Sequence, residues 1–408
     1  MTRSALPRAF RSALAILIAL AFGLGASTTA GAAPSDPGQW YLATLHIPQA
    51  QAITTGTGVT VAVIDTGIDD THPALAGQTV SGKCFGAARF VEPTDDSVGH
   101  GTAMAGLIAG TGKDSRHILG IAPGAKLMPL CINADHVTDD AAINTFTPAI
   151  RYAVDHGANV ISMSVGADDS TTLAADTAAY HAAVAYALRH NVVIVAAVGN
   201  KPLTGKVVSP ARLPGVIGVT GTTRSGGAWS GSADGTKVLA APATDILSTD
   251  TLHKADADNR PVHSDGYVTG SGTSNSTAIV AGVAALVRAK YPNLDAANVV
   301  NRLIRTADHK GAAGRNDQYG YGIVDPVKAL TADVPKVDAN PLGEPAAPSA
   351  STSPTNGGGR AGSTTGTGGT SPLPWIVLGV VVLVAAVVIV VLLSRRRARG
   401  STAGRDRP

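Results

Sequence analysis

The chain has 408 residues, 44% of them hydrophobic and only 4% aromatic, with a formal net charge of +3. So few aromatics exclude an adhesion or carbohydrate-binding module built on exposed aromatic clusters. Setting aside the +3 of Arg3, Arg8 and Arg11 and the +5 of the tail after Ser394 (six Arg, one Asp) leaves −5 for residues 33–394, a body with no nucleic-acid-binding character.

Taken in chain order, the three arginines precede an apolar run from Ala13 to about Gly25 and the small-residue pattern Ala30-Gly31-Ala32. This is the pattern of a secretory signal peptide over 1–32. Residues 33–58 form a short amino-terminal extension. The β-branched, apolar run Val59 to Ile64 reads as a buried parallel strand that ends at Asp65. His100, flanked by Gly99 and Gly101, opens an Ala- and Gly-rich helix. Further helices are expected over Ala141–His156, Thr172–His190, Thr273–Lys290 and Ala296–Ala307. Strand-like runs lie between them at Val160–Gly166 and Val192–Asn200. Their alternation predicts an α/β fold, a mainly parallel sheet with helices on both faces, over 59–333.

From Val334 to Pro372 the chain is rich in Pro, Ser, Thr and Gly and is expected to be a flexible linker. Leu373 to Leu393 is apolar throughout. At 1.5 Å per residue such a helix spans about 30 Å, enough to cross a bilayer. Arg395, Arg396, Arg397 and Arg399 follow, which places the 394–408 tail in the cytoplasm and the main domain outside the cell membrane. In that oxidising setting Cys84 and Cys131 are expected to form a disulfide, with two buried free thiols as the alternative. His72 reads as a loop residue without a chemical role. Asp69-Asp70 and Asp95-Asp96 read as surface carboxylates, with hard-cation ligation as the alternative.

Three segments carry chemistry, and they run Asp, His, Ser. Asp65 closes a strand, His100 sits in Gly99-His100-Gly101-Thr102, and Ser274 sits in Gly272-Thr273-Ser274 ahead of Ala281-Gly282-Val283. A serine hydroxyl is a weak nucleophile until an imidazole takes its proton, and a buried carboxylate must hold that imidazole in the right tautomer. The combination resembles the subtilisin-like serine proteases, whose triad has this order. The resemblance implies catalytic roles for Asp65, His100 and Ser274. It also makes Asn200, in Val198-Gly199-Asn200, a side-chain oxyanion donor beside the Ser274 N–H. Ser164, Val165 and Gly166 would pair with an extended peptide, while Ala197, Val198 and Gly199 would line the pocket beside the scissile bond. No cofactor is implied, with a structural calcium ion left open. One departure stands out. Most subtilases carry a bulky or apolar residue after the serine and a proline four places beyond it. Here Asn275 and Ala278 occupy those positions.

Residues 33–58 are too few for the folding pro-domain that many secreted subtilases carry. The layout of short extension, subtilase domain, linker, membrane helix and basic tail resembles the mycosins. These are membrane-anchored subtilases associated with type VII secretion in actinobacteria. The resemblance implies a protein or peptide substrate, a secretion-system membrane complex as partner and a membrane anchor at the carboxyl end. A structural subunit of such a complex with a dispensable active site is the alternative, motivated by Asn275 and Ala278.

Overall fold

The β-branched run after Gly58 forms β1 (Thr60–Asp65), buried along its length from Val61 onward. The computed structural model describes residues 36–132, 139–166, 175–255 and 261–344. Around β1 lie β2 (Lys83–Cys84), β3 (Lys126–Cys131), β4 (Val160–Met163), β5 (Val193–Ala197), β6 (Ile217–Thr222) and β7 (Leu239–Pro242). They form one seven-stranded sheet in the order β2-β3-β1-β4-β5-β6-β7. Every pair in it is parallel. A shorter antiparallel pair, β8 (Ile246–Thr249) with β9 (Tyr267–Gly270), stands apart from it.

Because side chains alternate along a strand, the sheet has two apolar faces. Val61, Val63, Val193 and Val195 share one core with Met104, Leu107, Ile108 and Val280. Ala62, Ile64, Ile161 and Ile194 share the other with Phe146, Ile150, Tyr180 and Val184. The first face carries α3 (His100–Ala109), α6 (Thr273–Lys290) and α7 (Ala296–Thr306). The second carries α4 (Asp139–Asp155) and α5 (Ala175–Arg189). Helix α6 is buried on all sides from Thr273 to Arg288, which explains its Ala and Gly content. A Cβ at Gly282 would lie 2.6 Å from the Ile121 Cβ. The helices expected from the sequence form within a few residues of their predicted ends, as the fraying of helix termini allows.

At both ends the packed chain runs beyond residues 59–333. Residues of the amino-terminal extension belong to the domain itself. Helices α1 (Trp40–Thr44) and α2 (Ile47–Ile53) bury Trp40, Tyr41, Leu42 and Ile47 in the first core. Trp40 Nε1 donates to the carbonyls of Thr244 and Asp245 at 3.2 and 3.3 Å. Gln39 Nε2 donates to the His117 carbonyl, and its Oε1 accepts the Leu119 N–H. At the other end, α8 (Pro326–Thr331) does not end the packed chain. Asn298 and Val337 exchange two hydrogen bonds at 3.0 and 2.9 Å, Asn301 Nδ2 donates to the Pro335 carbonyl, and Gly215 donates to that of Leu342. The early part of the expected linker is therefore a strap held by paired backbone groups.

The expected signal peptide, the 373–393 span and the basic tail lie outside the described residues. Among the described residues no helix is long and apolar enough to cross a membrane.

Cys84 and Cys131 are bonded, joining the adjacent strands β2 and β3 across 47 residues of chain. Closing a loop of that length stabilises the fold by about 4 kcal/mol on the chain-entropy account. Replacing both cysteines by alanine should lower the unfolding free energy in chemical denaturation by about that amount.

Candidate active site

Strand β1 has β3 on one side and β4 on the other, so the sheet reverses its direction of growth there. Open α/β sheets place their sites at the carboxyl ends of the strands around such a point. Asp65 ends β1, Ser164 follows β4 and Asn200 lies just beyond β5. The two remaining groups come from helix starts: His100 is the first residue of α3 and Ser274 the second of α6.

Asp65 is fully buried, and its Oδ1 meets His100 Nδ1 at 2.7 Å and accepts the Thr66 N–H at 2.8 Å. This contact requires helix α3 to lie almost on the strand end, and the flanking glycines permit it. A Cβ at Gly101 would fall 2.1 Å from the Gly67 carbonyl oxygen, and the Gly101 N–H instead bonds Thr66 Oγ1. Gly99, at φ 93°, has the left-handed conformation that favours glycine. The close packing expected around His100 is therefore present on both of its sides.

Burial opposes a charge on His100. Yet the charge and hydrogen bond of Asp65, joined by the charge of Asp96, outweigh it and hold the imidazole pKa above its ordinary value. Its side chain remains 38% accessible, from the cleft side.

Two carboxylates expected at the surface are buried instead. Asp96 Oδ1 accepts the N–H groups of Val98 and Gly99, and its Oδ2 accepts the N–H and hydroxyl of Thr102. It thus satisfies the unpaired donors at the start of α3, the helix that carries His100. Asp69 accepts the N–H groups of Thr71 and Leu252 and the hydroxyls of Thr71 and Thr251. Its own N–H donates to Thr102 Oγ1. These full sets of donors answer the buried charges, which the surface reading did not foresee. His72 lies in a loop, as expected, but is buried, with Nε2 on the Gly266 carbonyl and Nδ1 accepting from Ala74.

Ser274 and Asn200 face the same cleft as His100, a cavity of about 340 Å³. Asn200 Oδ1 accepts both the N–H and the hydroxyl of Thr273 at 2.9 Å. That fixes the amide with its Nδ2 donors on the Gly272–Ser274 side, where a Cβ at Gly272 would be 3.5 Å away. Thr273, overlooked in the sequence, sets this orientation. The Ser274 N–H lies in the first turn of α6, where donors have no partner inside the helix. The Ser274 hydroxyl itself donates to the Ser164 carbonyl at 3.1 Å, and Ser164 Oγ returns a bond to the Ser274 carbonyl. The hydroxyl thus rests on Ser164; catalytic hydrogen bonds are often formed or tightened only once substrate is bound.

On the other side of Ser274 a second cavity, about 210 Å³, is walled by Ser164, Val165, Gly166, Ala197, Gly199 and Val208. Leu203 and Thr204 complete it, and neither was anticipated. Val198 does not line it. It is fully buried in the core of the second face, because its neighbours Ala197 and Gly199 take the cavity side and successive side chains alternate. Asn275, expected to place a polar group beside Ser274, lines the same cleft, and its Nδ2 donates to the carbonyls of Ala243 and Gly270 at 3.2 and 3.1 Å.

A buried carboxylate bonded to an imidazole, with a serine at a helix start and an amide in the same cleft, is an arrangement that suits a serine endopeptidase of the subtilisin type. The model of the subtilase family matches residues 56–322. The chain therefore belongs to the subtilase family. It is 33% identical to Mycosin-3 of Mycobacterium tuberculosis over 380 residues, 79% of this chain and 80% of that one. Fervidolysin of Fervidobacterium pennivorans is 35% identical over 302 residues, 69% of this chain but 42% of that longer protein. Among solved structures, MycP1 with its N-terminal propeptide removed superposes with a TM-score of 0.61 at 32% identity, covering 73% of this chain and 98% of that one.

A raised pKa means that His100 keeps its proton to a higher pH than a free histidine, and only the neutral ring can accept the serine proton. The acid limb of kcat/KM should therefore have its midpoint above 6.5, and activity should fall as the pH drops through it. A pH–rate profile on a peptide substrate reads this directly.

Proposed function

We propose that the protein is a membrane-anchored, extracytoplasmic endopeptidase that cleaves peptide bonds through Asp65, His100 and Ser274, with Asn200 as oxyanion donor. The observation that carries this reading is the 2.7 Å bond between His100 Nδ1 and Asp65, facing the cleft that also holds Ser274. In the reaction, His100 Nε2 removes the Ser274 proton as Oγ attacks the scissile carbonyl carbon. Asp65 holds the Nδ1–H tautomer and stabilises the imidazolium that forms. The developing oxyanion lies between Asn200 Nδ2 and the Ser274 N–H, both fixed before substrate arrives. His100 then returns the proton to the leaving amine, and water, activated by the same ring, releases the acyl group.

The acyl side of the substrate enters along Ser164–Gly166 as an added strand, with its side chain in the cavity by Ala197 and Gly199. A Cβ at Gly166 would lie 2.4 Å from Val208 Cγ2, so this valine narrows the cavity, which suits a compact residue. In this reading the signal peptide, the 373–393 helix and the arginine tail hold the domain outside the cell membrane. Solved relatives include MycP1 described as from the ESX-1 type VII secretion system. That likeness supports secreted proteins of such a system as substrates and its membrane complex as partner.

The second reading, a structural subunit with a dispensable site, is favoured by the Ser274 hydroxyl resting on the Ser164 carbonyl. A fluorophosphonate probe applied to the purified full-length chain decides between them. Labelling should occur at Ser274 and vanish in Ser274→Ala. A folded chain that stays unlabelled would instead favour the structural subunit. Asn200→Ala should lower kcat by roughly 10²–10³ with a smaller change in KM, measured on a cleaved peptide.

A further inference from the structure

The cleft divides at Ser274. One side holds the cavity of Ser164–Gly166 and does not include His100, whereas the other holds His100 and Asn275. Since the imidazole must protonate the leaving amine, the His100 side receives the residue just after the scissile bond. Its inner wall is apolar, formed by Met104, Ile246 and Val268. Among the described residues its polar groups are largely occupied. Ser248 Oγ donates to the Ala103 carbonyl at 2.6 Å. Buried Asp250 accepts the Thr251 N–H on Oδ1 and Lys254 Nζ on Oδ2. Ser271 Oγ accepts the Asp245 N–H.

Asn275 differs from these. Its two Nδ2 hydrogens are directed to the carbonyls of Ala243 and Gly270, so the amide cannot flip without facing oxygen to oxygen. Among the described residues Oδ1 has no donor partner, and it belongs to a side chain that lines the cleft next to Ser274. The charges of Asp250 and Lys254 cancel within this pocket.

Resting on the catalytic reading above, we infer that Asn275 makes the leaving-group pocket select a neutral hydroxyl-bearing residue, threonine or serine, directly after the scissile bond. The apolar wall accepts a methyl group, and the hydroxyl donates to Asn275 Oδ1. Valine has the shape of threonine but leaves that acceptor unpaired, and a carboxylate would face it with like polarity. A site that offers a hydrogen bond to a substrate hydroxyl discriminates against the analogue lacking it.

The test uses the full-length chain and a peptide that a library digest shows to be cut, resynthesised as a pair with threonine or valine after the scissile bond. The kcat/KM ratio should favour threonine by about tenfold, the effect of one partly exposed hydrogen bond. It should fall to about one in both Asn275→Leu and Asn275→Ala. Because the ratio is read, any general loss from freeing the Ala243 and Gly270 carbonyls affects both peptides equally. A chain that labels with the fluorophosphonate but cuts the pair at equal rates overturns this inference alone, as does a preference that survives both substitutions. A chain that neither labels nor cuts overturns the catalytic reading and this inference together.

Discussion

The approach of helix α3 to the end of β1 is the contact on which the rest of the site depends. Here a helix that begins with an imidazole comes within hydrogen-bonding distance of a carboxylate buried at a strand terminus. Any Cβ at Gly101 would occupy the space of the Gly67 carbonyl oxygen. Remove that tolerance and His100 moves away from Asp65, taking tautomer and orientation with it. A displacement of about 1 Å in such a constellation is worth roughly a hundredfold in rate. The same crossing seats α3 against α6 and β8, so the serine and the histidine are set by one packing arrangement.

Around this crossing the protein spends buried charge on backbone geometry. Asp96 gathers four donors at the start of α3, and Asp69 ties the loop after β1 to the segment after β8. Thr102 joins the two, giving its hydroxyl to Asp96 and accepting from the Asp69 N–H. A buried carboxylate that lost these donors would be strongly destabilising, so the network resists any change in where α3 begins. Asp96 also contributes to the elevated pKa of His100, which links the helix cap to the chemistry. The amino-terminal helices support the same region from behind: Gln39 and Trp40 bond the His117–Leu119 and Thr244–Asp245 segments without entering the cleft.

Asn275 shows how a departure from a family pattern acquires meaning only through its partners. As a letter in the sequence it is a polar residue beside a nucleophile, and it suggested either altered specificity or a weakened enzyme. In the fold its nitrogen holds the carbonyls of Ala243 and Gly270, which leaves its oxygen for a ligand. On the reading proposed above, the substitution therefore bears on the leaving-group pocket rather than on Asp65, His100 or Ser274.

The sequence by itself determined the identity and order of the chemical groups, the strand that ends at Asp65, the helices that open at His100 and near Ser274, and the parallel sheet. These are signalled locally, by β-branched apolar runs and by small-residue helices whose periodicity and ends are written in adjacent residues. It also marked the cysteines that the fold joins. Tertiary structure alone decided which carboxylates are buried, that Val198 turns to the core while its neighbours face the cavity, and that residues 334–344 pack against the domain. It also decided that Ser274 rests on Ser164 and that Asn275 offers its oxygen. Each of these turns on which distant backbone groups come within 3 Å of a side chain. That is settled by sheet register and helix crossing, and no pattern of neighbouring residues encodes it.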